Sequence, residues 1–339
     1  MVVQLTAPAH GGGWPRVIAG RLLRLAVLLL GIAIAAFALA KLSPVDPVDA
    51  YLGGAMIGVG PEQRAAIAER LHLYDGVASQ FAAWLRNIIS CDLGISTIYN
   101  QPVATVIAER ALPSLALTGT AWILSGLLGF ALGLVAGARE GSWLDRVIRV
   151  YCYVLASTPT FWIAIVLLIV FAFKLGWAPF CCVAPPGLAT DDITLTERLR
   201  HLALPLTAVT LLGVAQVALH TRIKVIEIMR SDYVTFAFAQ GATRLDVLLR
   251  HAARNAALPA ITIQFASLGE LFGGSALAEQ VFSYPALGKA TVDAGLRGDV
   301  PLLLALALLT AAFVSTGNTI ADLLYRVVDP RTARAEALP

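Results

Sequence analysis

One ionisable side chain interrupts a long apolar stretch of this sequence. Glu270 lies in the run 258–278, among Gly269, Gly273 and Gly274. A carboxylate in such a run costs at least a few kcal/mol in a lipid bilayer, so it usually faces a water-filled cavity or a polar partner. Two interpretations stay open: a carboxylate that lines a path for a cationic or metal-bearing cargo, or a protonated or paired group that ties two helices together.

The other residues of catalytic or metal-ligating type are scattered. Glu279, at the end of the same run, either lines an outer gate or caps the following turn. His220 and His251 each stand alone, which is typical of polar positions at a membrane boundary. No spacing of histidine and cysteine resembles a zinc site, so the sequence predicts no firm metal ligand.

The four cysteines allow three interpretations. Cys91, Cys181 and Cys182 fall in outer segments, and Cys152 falls in an apolar segment where it serves packing. A disulfide from Cys91 to the adjacent pair would suit an oxidising compartment. Soft coordination of nickel and free thiols are the other two interpretations.

Motifs for enzyme chemistry are absent from the sequence. The closest match to a phosphate-binding loop, residues 283–290, contains Gly288 and Lys289 but lacks the leading glycine and the following Ser or Thr. Neither an HExxH nor a GxSxG pattern occurs. We therefore predict a chain that is not an enzyme and does not itself hydrolyse ATP.

Composition indicates the environment in which these residues act. Of 339 residues, 58% are hydrophobic and 14% are charged, whereas soluble domains carry about 25% charged residues. The mean hydropathy is +0.76. These values exclude a soluble globular protein, a disordered chain and a fibrous repeat, and the net charge of +3 argues against nucleic-acid binding. The sequence predicts an all-α polytopic protein surrounded by membrane lipid.

Six apolar stretches approach the roughly 20 residues that a membrane-spanning helix needs. They are Leu22–Ala40, a segment within Ala111–Gly137, and the approximate ranges Val150–Phe173, Leu202–Leu219, Leu258–Ala278 and Pro301–Leu324. With the N-terminus inside, the cytoplasmic segments hold 15 of the 25 basic residues, which favours both termini in the cytoplasm. The predicted organisation is a cytoplasmic segment 1–21, a first helix 22–42, a structured extracytoplasmic loop 43–110, a five-helix core 111–325 and a cytoplasmic tail 326–339.

Two soluble parts of the chain have helical patterns. In the outer loop we expect helices over Pro61–Leu71 and Val77–Ile89, either as a docking surface for an external partner or as a cap over the helices. On the inner side, residues 221–257 carry six basic residues and predict two short helices separated by Gly241. Thr243 and Asp246 form a capping-box pattern before the second helix. This elbow is either a docking element for a soluble protein or a solvated basic loop.

At the elbow, the sequence resembles the permeases of bacterial ABC importers, in particular their peptide/nickel branch. The matching residues are Asp232-Tyr233-Val234, Ala237, Gly241 and the segment His251–Pro259. Further matching pieces follow in order over roughly residues 15–333: 43–47, 92–96, 141–145, 157–161, 279–288, 299–301 and 322–331. The sequence departs from the family pattern at Phe238, Gln240, Cys91 and Ala286.

The resemblance implies a type I ABC importer permease in the cytoplasmic membrane. The implied partners are a second, homologous permease, cytoplasmic ATPase subunits that carry ATP and magnesium, and an extracytoplasmic substrate-binding protein; no cofactor is implied on this chain. The implied mechanism is alternating access driven through the elbow. The residues expected to couple to the ATPase are Tyr233, Ala237, Gly241, Arg244, His251, Arg254 and Asn255.

The resemblance also bears on which cargo is transported. The stretch 269–274 resembles nickel-importing members, so nickel or a metal chelate is the favoured cargo and di- or oligopeptides are the alternative. A more distant alternative is an ion-coupled secondary transporter that uses Glu270 and needs no ATPase. Glu270 and Glu279 are the candidate residues of the path.

Overall fold

The computed structural model describes residues 14–42, 48, 59–70, 74–182 and 194–328. Most of the predicted tail and most of the cytoplasmic N-terminal segment lie outside these residues. The helices are α1 (Trp14–Leu42), α2 (Pro61–Arg70), α3 (Val77–Ile89), α4 (Val103–Ala138), α5 (Trp143–Ser157), α6 (Thr160–Leu167), α7 (Leu195–Met229), α8 (Asp232–Ala239), α9 (Arg244–Asp246), α10 (Arg254–Ala266), α11 (Leu268–Val281), α12 (Leu287–Arg297) and α13 (Val300–Val328). Two π-helical segments, Leu168–Lys174 and Val247–Ala253, extend α6 and α9. Strands β1 (Ile95–Ser96) and β2 (Gln101–Pro102) form an antiparallel hairpin in which Ile95 lies opposite Pro102.

The helical prediction with up to six spans is confirmed. Helices α1, α4, α7 and α13 contain straight segments that are long and apolar enough to cross a membrane. Two further candidates are bent pairs: α5 with α6 and its π segment, at 105°, and the helix 244–266 with α11, at 52°. The described residues therefore contain four to six spans, depending on whether each bent pair is counted as one.

The packing of α4 against α7 is the most extensive helix contact in the structure. Gly129, Gly133 and Gly137 lie on one face of α4 and are all buried. A Cβ atom added to Gly129 or Gly137 would lie 2.8 or 2.9 Å from a backbone carbonyl oxygen of α7. A row of small residues along one face of a helix lets two helix backbones approach closely, which is a common packing mode inside a membrane.

The third predicted span is not one straight helix but a bent pair, α5 and α6 with its π segment. The chain turns sharply between α5 and α6, where Thr158 is extended at φ −100° and ψ 126° and Pro159 precedes α6. The proline ring disfavours the helical conformation for the residue before it, and proline has no N–H to donate. The 105° bend therefore follows from one residue that hydropathy does not register.

The elbow differs from its predicted form in two details. Its first nine residues belong to α7, which continues to Met229, so only α8 is a separate short helix. The second elbow helix does not stop before the membrane, because α9, the π segment and α10 form one helix over residues 244–266. Pro259 lies within α10.

The outer helices match their predictions closely. Helix α3 has the predicted bounds, and α2 ends at Arg70, one residue before the predicted end, which lies outside the described residues. The Phe81 ring of α3 lies 5.3 Å from the Phe37 ring of α1, so this helix packs on the first span.

The β1–β2 hairpin is fixed by buried Asp299, which accepts hydrogen bonds from the Ser96 hydroxyl at 2.5 Å and the Ile98 N–H at 3.1 Å.

We expect Gly133→Ala to lower the free energy of unfolding of the permease by about 1–3 kcal/mol, because the added methyl group would overlap α7. Gly119→Ala is the matched control on the same helix, since a Cβ at Gly119 meets nothing within 4 Å. Thermal unfolding in detergent, followed by tryptophan fluorescence, measures both. Equal stability of the two variants would contradict the close-approach argument.

Candidate functional site

Helix α8 ends at a glycine in the left-handed conformation. Gly241 has φ +89°, a backbone geometry that residues with a Cβ rarely adopt. Its N–H donates to the Phe238 carbonyl at 2.9 Å, and the Ala242 N–H donates to the Ala237 carbonyl at 3.1 Å. These bonds satisfy the last carbonyls of α8 and reverse the chain toward α9.

The second half of the elbow begins at the predicted capping box. The Asp246 N–H donates to Thr243 Oγ1 at 3.2 Å, and the Thr243 N–H donates to Asp246 Oδ2 at 3.4 Å.

Beneath the turn lies a small apolar core made by both halves of the elbow together with α4 and α7. Its buried residues are Val225, Ile228, Val234, Val247, Ala252 and Ala256. The elbow is therefore a packed element rather than a loose basic loop.

The structure brings together three of the seven residues predicted to couple to the ATPase. Asn255 Nδ2 donates to the Tyr233 hydroxyl at 3.3 Å, and the Tyr233 and His251 rings lie 6.2 Å apart. These contacts join α8 to the helix that follows the turn. Arg244 and Arg254 are exposed.

The outer surface of the elbow carries apolar side chains that the sequence analysis did not single out. Phe236 is 64% exposed, and Leu245 and Leu249 are 64% and 58% exposed. The sequence contains a signal for them, because these three apolar residues fall outside the stripe of apolar residues that each helix buries. Several exposed apolar groups on an element that also carries exposed arginines are typical of a protein-binding surface rather than a solvated loop.

A buried ion pair connects this element to the turn between α4 and α5. The Asp145 side chain is fully buried, and it accepts hydrogen bonds from Arg222 Nε at 2.5 Å and Arg222 Nη2 at 2.9 Å. It also accepts from the Gly141 N–H at 3.0 Å, while its own N–H donates to Ser142 Oγ at 3.2 Å. This pair was not predicted from the sequence, although Ser142 three residues before Asp145 is a helix-start pattern.

Glu270 lies at the exposed surface, where it pairs with an amide. It occupies the first turn of α11, and the Gln216 amide of α7 donates to its Oε2 at 2.9 Å. His220, one turn further along α7, is also exposed, with Nδ1 2.9 Å from the Gln216 carbonyl oxygen. The contact ties α11 to α7 and at the same time leaves the carboxylate accessible, so the two interpretations of Glu270 do not exclude each other.

Glu279 has a different environment. Its side chain is fully buried, and its Oε2 accepts from the Lys289 N–H at 2.8 Å in the first turn of α12. A Cβ on Gly288 would lie 2.6 Å from that oxygen. The structure thus places Glu279 as a cap of α12, away from the surface that holds Glu270.

A second carboxylate, Asp293, joins α12 to α11. Asp293 accepts from Lys289 Nζ at 2.7 Å and from Gln280 Nε2 at 3.3 Å. Burial raises the pKa of Asp293, but the charge and hydrogen bonds of these neighbours outweigh it and hold the pKa below its usual range.

Cys181 and Cys182 form a disulfide with each other, and Cys91 is a free, exposed cysteine. The Cys182 N–H donates to the Phe282 carbonyl at 3.1 Å, which attaches this segment to the end of α11.

No group of three or more His, Cys, Asp or Glu side chains that could hold a metal ion occurs in the described part of the chain.

Comparisons with known proteins place these features in a context. A family model for binding-protein-dependent transport system inner membrane components matches residues 129–334. The chain is 32% identical over 307 residues to the oligopeptide transport system permease protein AppB of Bacillus subtilis, covering 90% of this chain and 95% of that protein. It is 30% identical over 326 residues to the dipeptide transport system permease protein DppB of Alkalihalophilus pseudofirmus, covering 92% and 97%.

Among solved structures, a chain of the MetNI methionine ABC transporter in inward-facing conformations is similar, with a TM-score of 0.51 and 15% identity. The match covers 65% of this chain and 97% of that chain. This similarity concerns the fold alone.

We expect Asp145→Asn to lower the free energy of unfolding by about 3–5 kcal/mol, because it leaves the Arg222 charge without its partner in a buried site. Glu140→Gln is the control. It removes the exposed pair that Glu140 forms with Arg230 at 2.8 Å, and such pairs contribute at most about 1 kcal/mol. Thermal unfolding of both variants in detergent measures the difference, and a loss no larger for Asp145→Asn than for the control would contradict the structural importance of the pair.

Proposed function

Because the chain belongs to the family of binding-protein-dependent transport system inner membrane components and is an ABC importer permease, we propose that it forms half of the translocation pathway of a di- or oligopeptide importer. The proposed assembly contains a second, homologous permease, cytoplasmic ATPase subunits that bind and hydrolyse ATP with magnesium, and an extracytoplasmic substrate-binding protein. In this proposal the chain needs no cofactor of its own, and both termini lie on the cytoplasmic side of the cell's inner membrane.

The observation that carries the proposal is the packed elbow. It combines a glycine-ended helix with an exposed surface of Phe236, Leu245 and Leu249, and exposed Arg244 and Arg254 lie on the same element. A rigid, partly apolar projection on the basic side of a membrane protein is suited to transmit motion from a soluble partner. The elbow is held together by contacts among Tyr233, His251 and Asn255 and by the packing of Ala237 on its apolar core.

The proposed cargo is a peptide rather than nickel. Nickel was the favoured prediction from residues 269–274, but the relatives reported above are named for oligopeptide and dipeptide transport. A single accessible carboxylate also gives a poor nickel site, since nickel prefers several nitrogen or sulfur ligands. The family match supports an importer rather than an ion-coupled secondary transporter, because the family model describes an inner membrane component of a binding-protein-dependent transport system.

The proposed path runs along the face of α7 and α11 that holds Glu270. Glu270, Gln216 and His220 are polar groups at the surface of spans that are otherwise apolar. Contact of such a surface with lipid would be costly, whereas a water-filled cavity between two permeases would solvate it. Glu279 is buried and is not included in this path.

Reconstitution tests the assignment of function and cargo. We expect the permease to co-purify with an ATPase subunit and, in proteoliposomes with its binding protein, to import radiolabelled peptide at least ten-fold faster than nickel. ATP-independent uptake driven by an ion gradient would contradict the importer assignment. Faster uptake of nickel would return the cargo to the metal alternative.

Gly241→Pro tests the elbow. Proline fixes φ near −65° and lacks the N–H that donates to Phe238, so we expect the protein to assemble but stimulated ATP hydrolysis to drive at least ten-fold less uptake. Gly241→Asn is the matched control, because asparagine tolerates positive φ better than other non-glycine residues. Coupling in the proline variant equal to that of the asparagine variant would contradict the assignment.

A further inference from the structure

We propose that Glu270 and Gln216 form a binding site for the positively charged amino terminus of a transported peptide. The proposal rests on the proposed function, because it requires a peptide cargo and a path along this face. It adds the chemical group that is recognised and the two side chains that recognise it.

The geometry leaves two oxygen atoms available for a ligand. The Gln216 amide nitrogen donates to Glu270 Oε2 at 2.9 Å. This bond orients both side chains and leaves Glu270 Oε1 and the Gln216 amide oxygen as acceptors. Neither residue is buried, and no other described residue donates a hydrogen bond to these two oxygens.

The charge of Glu270 differs from that of several other carboxylates in having no basic partner among the described residues. Asp145 is paired with Arg222 and Asp322 with Arg21. Glu270, in contrast, has no basic partner within the described ranges. Its negative charge is therefore available to a cation that arrives from outside the chain.

The donor set fits an ammonium group better than a metal ion. An ammonium carries three N–H donors and no acceptor, so it can bind a carboxylate oxygen and an amide oxygen at once. Hydrogen bonds between charged groups are about twice as strong as neutral ones. A metal ion would need further protein ligands, and around Glu270 the described residues supply no cluster of three.

The surface next to Glu270 has room for the rest of a peptide. Glu270, Gly273 and Leu277 are all exposed and follow one another along one stripe of α11. A Cβ on Gly273 would meet nothing within 4 Å, so the surface is open at this point. From Glu270 to Leu277 the helix rises roughly 10 Å, about the length of three extended residues.

This arrangement gives the bound peptide a direction. Gln216 precedes Arg222, the first basic residue after the apolar part of α7, by roughly 9 Å of helix rise. The amino terminus would therefore lie nearer the cytoplasm, with the peptide body extending outward along Gly273 and its apolar side chains against Leu277.

Binding to the purified importer complex, without binding protein or nucleotide, tests the site. We expect the wild-type complex to bind radiolabelled trialanine at least ten-fold more tightly than N-acetyl-trialanine, which has no terminal charge. Glu270→Gln should reduce trialanine affinity to that of the acetylated peptide. Glu270→Asp, which keeps the charge, should retain at least three-fold discrimination. Equilibrium dialysis measures the affinity of the wild type and of each variant for both peptides.

Glu227→Gln is the matched control. It removes a carboxylate from α7 nearer the cytoplasm, where Glu227 is exposed and paired with Lys224, and it should leave the discrimination unchanged. Absence of trialanine binding, equal affinity of the wild type for the two peptides, or full discrimination in Glu270→Gln would overturn the proposal. If the wild type still imports peptide in proteoliposomes, the amine site alone has failed; if it imports none, the proposed function has failed as well.

Discussion

The close approach of α4 and α7 is the contact on which the rest of the structure depends. Three glycines, Gly129, Gly133 and Gly137, remove the side chains that would separate the two backbones. Because α7 is held at this distance, its Arg222 reaches buried Asp145 at the turn that follows α4, and its Gln216 stands beside Glu270 of α11. In an apolar solvent, where helices gain little from hydrophobic burial, such packing supplies much of the stability of the association.

Four carboxylates of this chain fall into two groups with different consequences. Asp145 and Asp322 are neutralised by arginines on other helices, and Glu279 is enclosed at the start of α12. These groups fix helices to one another, and removing one partner leaves the other unsatisfied. Glu270 is exposed and held in place by the Gln216 amide, with no basic partner in the described part of the chain, so its charge remains accessible to a cation from solution.

The elbow shows how a local signal and a long-range contact combine. Its turn is specified by neighbours in sequence, through the left-handed Gly241 and the capping box of Thr243. Its attachment to the membrane helices is specified by Val234 and Val247, which pack into a core shared with α4 and α7. In the proposed importer, a push on the elbow from an ATPase subunit would reach both α4 and α7 through this core.

The sequence by itself determined the membrane class, the apolar spans, the outer helix Val77–Ile89 and the elbow turn, because hydropathy and helix caps act over neighbouring residues. It did not predict the bend at Pro159, since hydropathy does not register backbone geometry. Only the tertiary structure decided the partners of the charged residues. Asp145 and Arg222 are 77 positions apart, and Gln216 and Glu270 are 54 apart. Contacts at such separations depend on how helices pack, which no local pattern in the sequence encodes.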